Sequence, residues 1–255
     1  MTVRELYDFL NNKIPASLSC SWDNDGLMCC PDGKAPVKKV LIALDITERT
    51  VDHAVKNGFD TIISHHPLIF SKVGQLNEDT NTARKLIKLV KNGVNAMSFH
   101  TRFDALCGGV NTALAERLGF KKTKNFGPDG EEFALIAELD TPVSLNDLCL
   151  EIKEKLNCPL VLCADCGKEI KRVAILGGDG KDYVDSAIAE GADAFISGRF
   201  SYNIMAEAPE KGISLIEAGH FFTEDPVCKR FQELVLEFDP QIKTEILNSN
   251  EIKVL

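Results

Sequence analysis

Short apolar runs alternate with amphipathic stretches along most of the chain. Residues 37–46 (VKKVLIALDI) read as a strand. A helix opens at Thr47 or Glu48 and runs to Asn57, where Gly58 stops it. Thr61-Ile62-Ile63 is a β-branched run that predicts a buried strand ending in Ser64-His65-His66-Pro67. Pro67 lacks a backbone N–H, so a central strand cannot continue past it. Strand, helix and strand in this order predict parallel pairing through a right-handed crossover. Ahead of this unit, residues 3–12 predict a helix, with Thr2 and Glu5 spaced as a capping box.

Residues 78–92 predict another helix, closed by Asn92-Gly93. Residues 94–99 predict a strand that ends in His100-Thr101-Arg102-Phe103-Asp104. Gly108-Gly109 leads into a helix over 110–118. The polar stretch 121–130, with Gly and Pro, is the expected boundary between a lobe over 1–127 and a lobe over 128–255. The last helix and strand would be able to pack back on the first lobe. Beyond the boundary, strands over 132–139, 159–163, 172–176, 194–196, 213–216 and 243–247 are expected. Helices over 144–156, 182–190, 201–209 and 224–237 fall between them. The fold class is α/β: two lobes with parallel or mixed sheets and a site at strand carboxyl ends between them, where open α/β sheets bind ligands.

Composition narrows the classes of function. The 255 residues are 44% hydrophobic and 26% charged, as in soluble globular chains. A net charge of −9 argues against broad binding to nucleic acid or to an anionic membrane. No apolar run approaches the roughly 20 residues of a membrane span. The acid-bearing amphipathic N-terminus reads as neither signal nor transit peptide, which makes the cytoplasm the expected compartment. The nine cysteines then read as reduced thiols. Cys163-Ala-Asp-Cys166 has no second pair at zinc spacing, and Cys29-Cys30 has no partner motif, so ordinary packing is the better reading of both.

The chemistry lies at strand ends. Of five histidines, His53 falls within a helix and reads as a satisfied polar group; the other four lie at predicted strand ends. Three strands end in metal-competent groups: His65-His66, His100 with Asp104, and His220 with Glu224. Successive residues of an extended strand face opposite ways, so His65 and His66 should diverge unless the turn at Pro67 relaxes them or each serves its own ion. His220 and Glu224 share a face if their turn is helical. Imidazole with carboxylate suits Zn, Fe, Mn, Co or Ni. Six candidate donors exceed the roughly three protein ligands of one catalytic ion, so two divalent ions fit better. Three of the donors also have a plainer reading: His100 as an orienting residue, Asp104 as a turn residue, Glu224 as an acid at a helix start. Gly177-Gly178-Asp179-Gly180 lacks the full phosphate-loop spacing and reads as a tight turn, while Arg102 and Arg199 read as surface arginines before phosphate ligands.

Four segments carry a resemblance: WDNDGL at 22–27, SHHPLIF at 64–70, HTRFDALCGGVN at 100–111 and GHFFTE at 219–224. Together they resemble the signature blocks of the NIF-three-like dinuclear-metal family, the GTP cyclohydrolase 1 type 2 homologs. The resemblance implies two α/β lobes, a two-metal site between them and a homohexamer. It implies His65, His66, Asp104, His220 and Glu224 as metal ligands, with His100 beside them. The segment 197–203 and the pair Arg102-Phe103 depart from the family pattern. The expected activity is metal-dependent hydrolysis of a nucleotide-like or phosphorylated small molecule by a hydroxide held between the ions, with His100 moving a proton to the leaving group. The alternative is a non-catalytic metal-binding scaffold.

Overall fold

The β-branched run Thr61-Ile62-Ile63 forms a strand over Thr61–Ser64 in which every residue is buried. It lies in the middle of a sheet, paired on both sides, as a run with no polar face requires. The computed structural model describes residues 1–254; Leu255 lies outside the described residues. In chain order the strands are β1 (Gly26–Cys29), β2 (Lys39–Ala43), β3 (Thr61–Ser64), β4 (Asn95–Ser98), β5 (Thr123–Phe126), β6 (Ala134–Val143), β7 (Leu162–Ala164), β8 (Ile170–Asp179), β9 (Ala194–Arg199), β10 (Ser214–Glu217) and β11 (Lys243–Ile246). They make two sheets of mixed direction, ordered β1-β4-β3-β2-β11 and β5-β6-β8-β9-β10-β7. The chain divides into two compact units. One is built on Met1–Leu106 with Val227–Glu251, the other on Cys107–Pro226.

In the first unit β2, β3 and β4 are parallel neighbours, as the strand–helix–strand pattern predicts. Ala43 is level with Ser64, and Ser64 with Ser98, so the three strands end together. Thr47 caps the helix Glu48–Asn57, and Gly58 ends it at φ +67°, the left-handed conformation that glycine adopts without Cβ strain. This helix lays Val51 and Ala54 on Leu41 and Ile62, while the helix Asn81–Lys91 adds Leu86 and Leu89 to the same core. β11 returns from the far end of the chain to pair with β2 in parallel.

In the second unit the sheet is covered on both faces. Leu135, Val173, Ile175 and Ile196 face one side and meet Leu148, Ile152 and Leu156 of the helix Leu145–Leu156. Ile136, Ala174, Leu176 and Phe195 face the other side, with Tyr183, Val184 and Ala187. Alternate strand residues thus supply two separate cores. β8, β9 and β10 are parallel, while β5, β6 and β7 pair antiparallel at the flanks.

Two expected boundaries move. The polar stretch 121–130 contains a strand, β5, whose exposed Thr123, Lys124 and Asn125 hide it from an apolar pattern. The helix expected over 224–237 is two helices, His220–Glu224 and Val227–Phe238. Pro226 falls between them, and a proline cannot supply the N–H that a continuous helix needs.

Candidate metal centre

The level ends of β2, β3 and β4 deliver Asp45, His65-His66 and His100 to one edge of the first unit's sheet. β3 stops at Ser64. The Ser64 hydroxyl donates to the His66 carbonyl at 2.8 Å, and the His66 N–H donates to the Leu44 carbonyl at 3.0 Å. This turn removes the pleat, so His65 and His66 do not diverge. Their ring centroids are 5.0 Å apart, and each lies within 5.6 Å of His100. Of the alternatives, the turn before Pro67 is the one realised: it relaxes the alternation that an extended backbone would impose. One ligand atom from each of the three histidines can be chosen so that all lie within 4.8 Å of one another.

Each of these imidazoles is held through Nδ1. His65, fully buried, has Nδ1 3.0 Å from the Phe99 carbonyl. His66 has it 2.7 Å from the Asp45 carboxylate, and His100 has it 3.0 Å from the Asp23 carboxylate. A carbonyl or ionised carboxylate only accepts, so Nδ1 carries the hydrogen and Nε2 presents the lone pair. That arrangement, an anchored N–H behind an outward lone pair, is how metal-binding histidines are oriented. Beyond His100 the chain turns into the short helix Thr101–Ala105, which brings Asp104 Oδ1 to 3.5 Å from His65 Nε2.

The segment Trp22–Leu27 supports this loop. Asp23 accepts from the Thr101 N–H at 3.0 Å and from the Thr101 hydroxyl at 2.6 Å, besides His100. Burial alone would raise its pKa, but the hydrogen bonds from His100 and Thr101 outweigh burial and hold the carboxyl well below the ordinary range. Asp25 accepts from the His100 N–H and from Arg102 Nε at 2.9 and 2.8 Å. Arg102 is not a surface residue. It is 1% exposed, bonded also to Asn11 and the Ile14 carbonyl, with its guanidinium over the Phe99 ring.

In the second unit, Gly219 at φ +86° turns the chain from β10 into the helix His220–Glu224. The helical turn puts His220 Nε2 3.0 Å from Glu224 Oε2, as the four-residue spacing predicts. Gly177 and Gly178 lie within β8 rather than in a separate tight turn. A Cβ on Gly178 would collide with Glu224 Oε1, and one on Gly198 would lie 2.7 Å from the His220 Cα. These glycines let the helix lie against β8 and β9. Asp23 and Asp25 stood out only as part of the block at 22–27, and Asp45, Gly178 and Gly198 were not legible as site-forming residues, although a carboxylate just past a strand at the histidine edge is a signal for Asp45.

Histidine nitrogens and carboxylate oxygens suit a divalent ion of the Zn, Fe, Mn, Co or Ni type. Among the described residues, no cysteine joins a group of donors that could hold an ion. Fold and donors together define a mixed α/β protein with histidine–carboxylate groups competent for metal.

A family model described as Duf34/NIF3 (NGG1p interacting factor 3) matches residues 1–253, and the chain belongs to that family. It is 33% identical over 232 residues to a Clostridium acetobutylicum protein named GTP cyclohydrolase 1 type 2 homolog, covering 89% of this chain and 86% of the relative. It is 34% identical over 226 residues to a Campylobacter jejuni protein of the same name, covering 88% of each. Among solved structures, Staphylococcus aureus protein SA1388 superposes with a TM-score of 0.89 at 28% identity, covering 100% of this chain and 99% of that one. Reduced HcgD from Methanocaldococcus jannaschii superposes with a TM-score of 0.82 at 26% identity, covering 97% and 98%. Among the described residues no helix is long and apolar enough to cross a membrane.

Proposed function

We propose that the chain is a metal-dependent hydrolase of a nucleotide-like or phosphorylated small molecule, with His65, His66, Asp104, His220 and Glu224 holding two divalent ions. The observation that carries this reading is the common Nδ1 anchoring of His65, His66 and His100. Such anchoring is how ligand nitrogens are oriented, and here three neighbouring imidazoles share it. Two ions bound there supply water activated at neutral pH and charge neutralisation for the substrate's oxygens. The chain's own residues do the rest. Phe99 and Asp45 fix the His65 and His66 rings, so that little reorganisation is needed at the moment of reaction. The ionised Asp23 behind His100 holds its Nδ1–H, which leaves Nε2 as the atom that would exchange a proton with a leaving group. A homohexamer is proposed on family membership alone; native mass would test it.

The test is turnover by chelator-stripped protein on a panel of nucleotides and phosphoesters, before and after adding back Mn, Fe or Zn. Activity lost on stripping and restored by one of these ions is expected. Turnover indifferent to the chelator would overturn the reading. If no substrate turns over and His65→Ala loses its assembly or its melting temperature, the scaffold alternative takes its place.

A further inference from the structure

Two large aromatic side chains beside His100 are left in solvent. Trp22 is 58% exposed and Phe70 is 56% exposed. Burying either would contribute roughly 1.5–3 kcal/mol, so a matched pair of half-exposed rings beside a polar cluster suggests a surface kept open for a ligand. The two rings and His100 form a triangle. Trp22 and Phe70 centroids are 6.3 Å apart with planes at 69°; each lies 6.2–6.3 Å from the His100 ring, at 76° and 85°. The geometry is held from behind. Asp23 anchors the Trp22 segment to the His100 loop, and the Asn24 amide donates to the Ile69 carbonyl, tying that segment to Phe70.

The Phe70 side leads into a cleft of about 580 Å³ lined in part by Ser71, Lys72, Thr80, Thr82 and Lys85, with Asp79 its only carboxylate. The Lys72 ammonium and three hydroxyls line this cleft, while the Lys85 ammonium already donates to the Ile46 carbonyl at 2.7 Å, so Lys72 is the cation that would meet an anion there. A flat face next to a cationic cleft matches a ligand with a planar ring at one end and a phosphate or carboxylate at the other. Aromatic side chains accept any base-like ring, since stacking does not depend on its edge pattern.

We propose that Trp22 and Phe70 form a stacking subsite for a planar heteroaromatic ring, and that the cleft with Lys72 takes the anionic group attached to it. The proposal rests on the hydrolase reading for what happens to the ligand afterwards, but ring binding itself needs no bound metal.

Trp22 is the chain's one tryptophan, so its fluorescence reports this subsite directly. The experiment titrates adenosine 5′-monophosphate, adenosine and ribose 5-phosphate into the chelator-stripped full chain and again into metal-loaded chain. Saturable quenching by adenosine monophosphate in both states is expected, with weaker quenching by adenosine and none by ribose 5-phosphate. Phe70→Ala should weaken the nucleotide's affinity about 5- to 100-fold, the range of one lost base stack, while Phe70→Tyr keeps it. Lys72→Ala should weaken the nucleotide and leave adenosine unchanged. An equal response to ribose 5-phosphate, or a Phe70→Ala variant with unaltered affinity, would overturn the inference. So would a Phe70→Ala variant of reduced particle mass, because the exposed rings would then be a contact between subunits. Metal-dependent turnover of a non-aromatic phosphoester without any ring response would sink the subsite and leave the hydrolase reading standing.

Discussion

The Asp45 carboxylate lies 2.7 Å from His66 Nδ1 across 21 positions of sequence. One residue ends the segment after β2 and the other the segment after β3, and parallel register sets them side by side. The hydrogen bond fixes the His66 tautomer and makes Nε2 a better donor. Asp45→Asn should therefore lower divalent-metal affinity by about 10- to 100-fold with little change in the melting temperature of the stripped protein. A competition titration with a chromogenic chelator measures this; unchanged affinity would show that the contact does not serve metal.

Gly178 and Gly191 separate two effects of adding a methyl group. Both have positive φ, +73° and +74°. A Cβ on Gly178 would run into Glu224, whereas nothing lies within 4 Å of one on Gly191. Each alanine substitution should cost about 1 kcal/mol of backbone strain. Only Gly178→Ala should also reduce metal content, since it displaces the Glu224 carboxylate. Equal metal content in the two folded variants would contradict that role.

Arg102 is buried against Asp25 with both partners nearly inaccessible. Asp25→Ala leaves the guanidinium without its carboxylate inside the first unit, a change that costs on the order of 3–5 kcal/mol. Urea denaturation should show a correspondingly lower midpoint. A shift below about 0.5 kcal/mol, typical of a surface pair, would mean the charge is solvated after all.

Acid should act through Asp23. Its folded pKa is depressed, mainly because the hydrogen bonds from His100 and Thr101 outweigh its burial. The unfolded chain therefore binds the proton more readily. The stabilisation is fully present above the unfolded value of about 4 and is lost as pH falls from there through the folded value. Asp23→Asn should cost about 1–3 kcal/mol at neutral pH and less at low pH. Denaturation of stripped protein across pH 3–7 compares the two chains; a gap that widens on acidification would refute the assignment.

Much of the first unit's framework was legible from local chemistry. Thr61-Ile62-Ile63 before Pro67 announces a central strand that must stop, and Thr2 with Glu5 forms the capping box their spacing predicts. β1 was not legible, because Gly26-Leu27-Met28-Cys29 has neither alternation nor β-branching, and its strand character comes from pairing with β4. His65, His66 and His100 were visible as candidate donors because imidazole is rare in this chain, and Asp104 because it follows His100 at a strand end. Their supports were not. An aspartate among many becomes an anchor only through partners such as His100, 77 positions from Asp23, or His66, 21 positions from Asp45. Gly178 matters for the same reason: what it makes room for, Glu224, arrives from another strand.

The proposed ligand set, His65, His66, Asp104, His220 and Glu224, is open to a direct measurement. Elemental analysis of protein loaded with metal and then dialysed gives the metal content per chain. Wild-type chain should retain about two divalent ions, and the folded double variant His65→Ala/His220→Ala should retain essentially none. Undiminished metal in that variant, or none in the wild type, would rule this ligand set out.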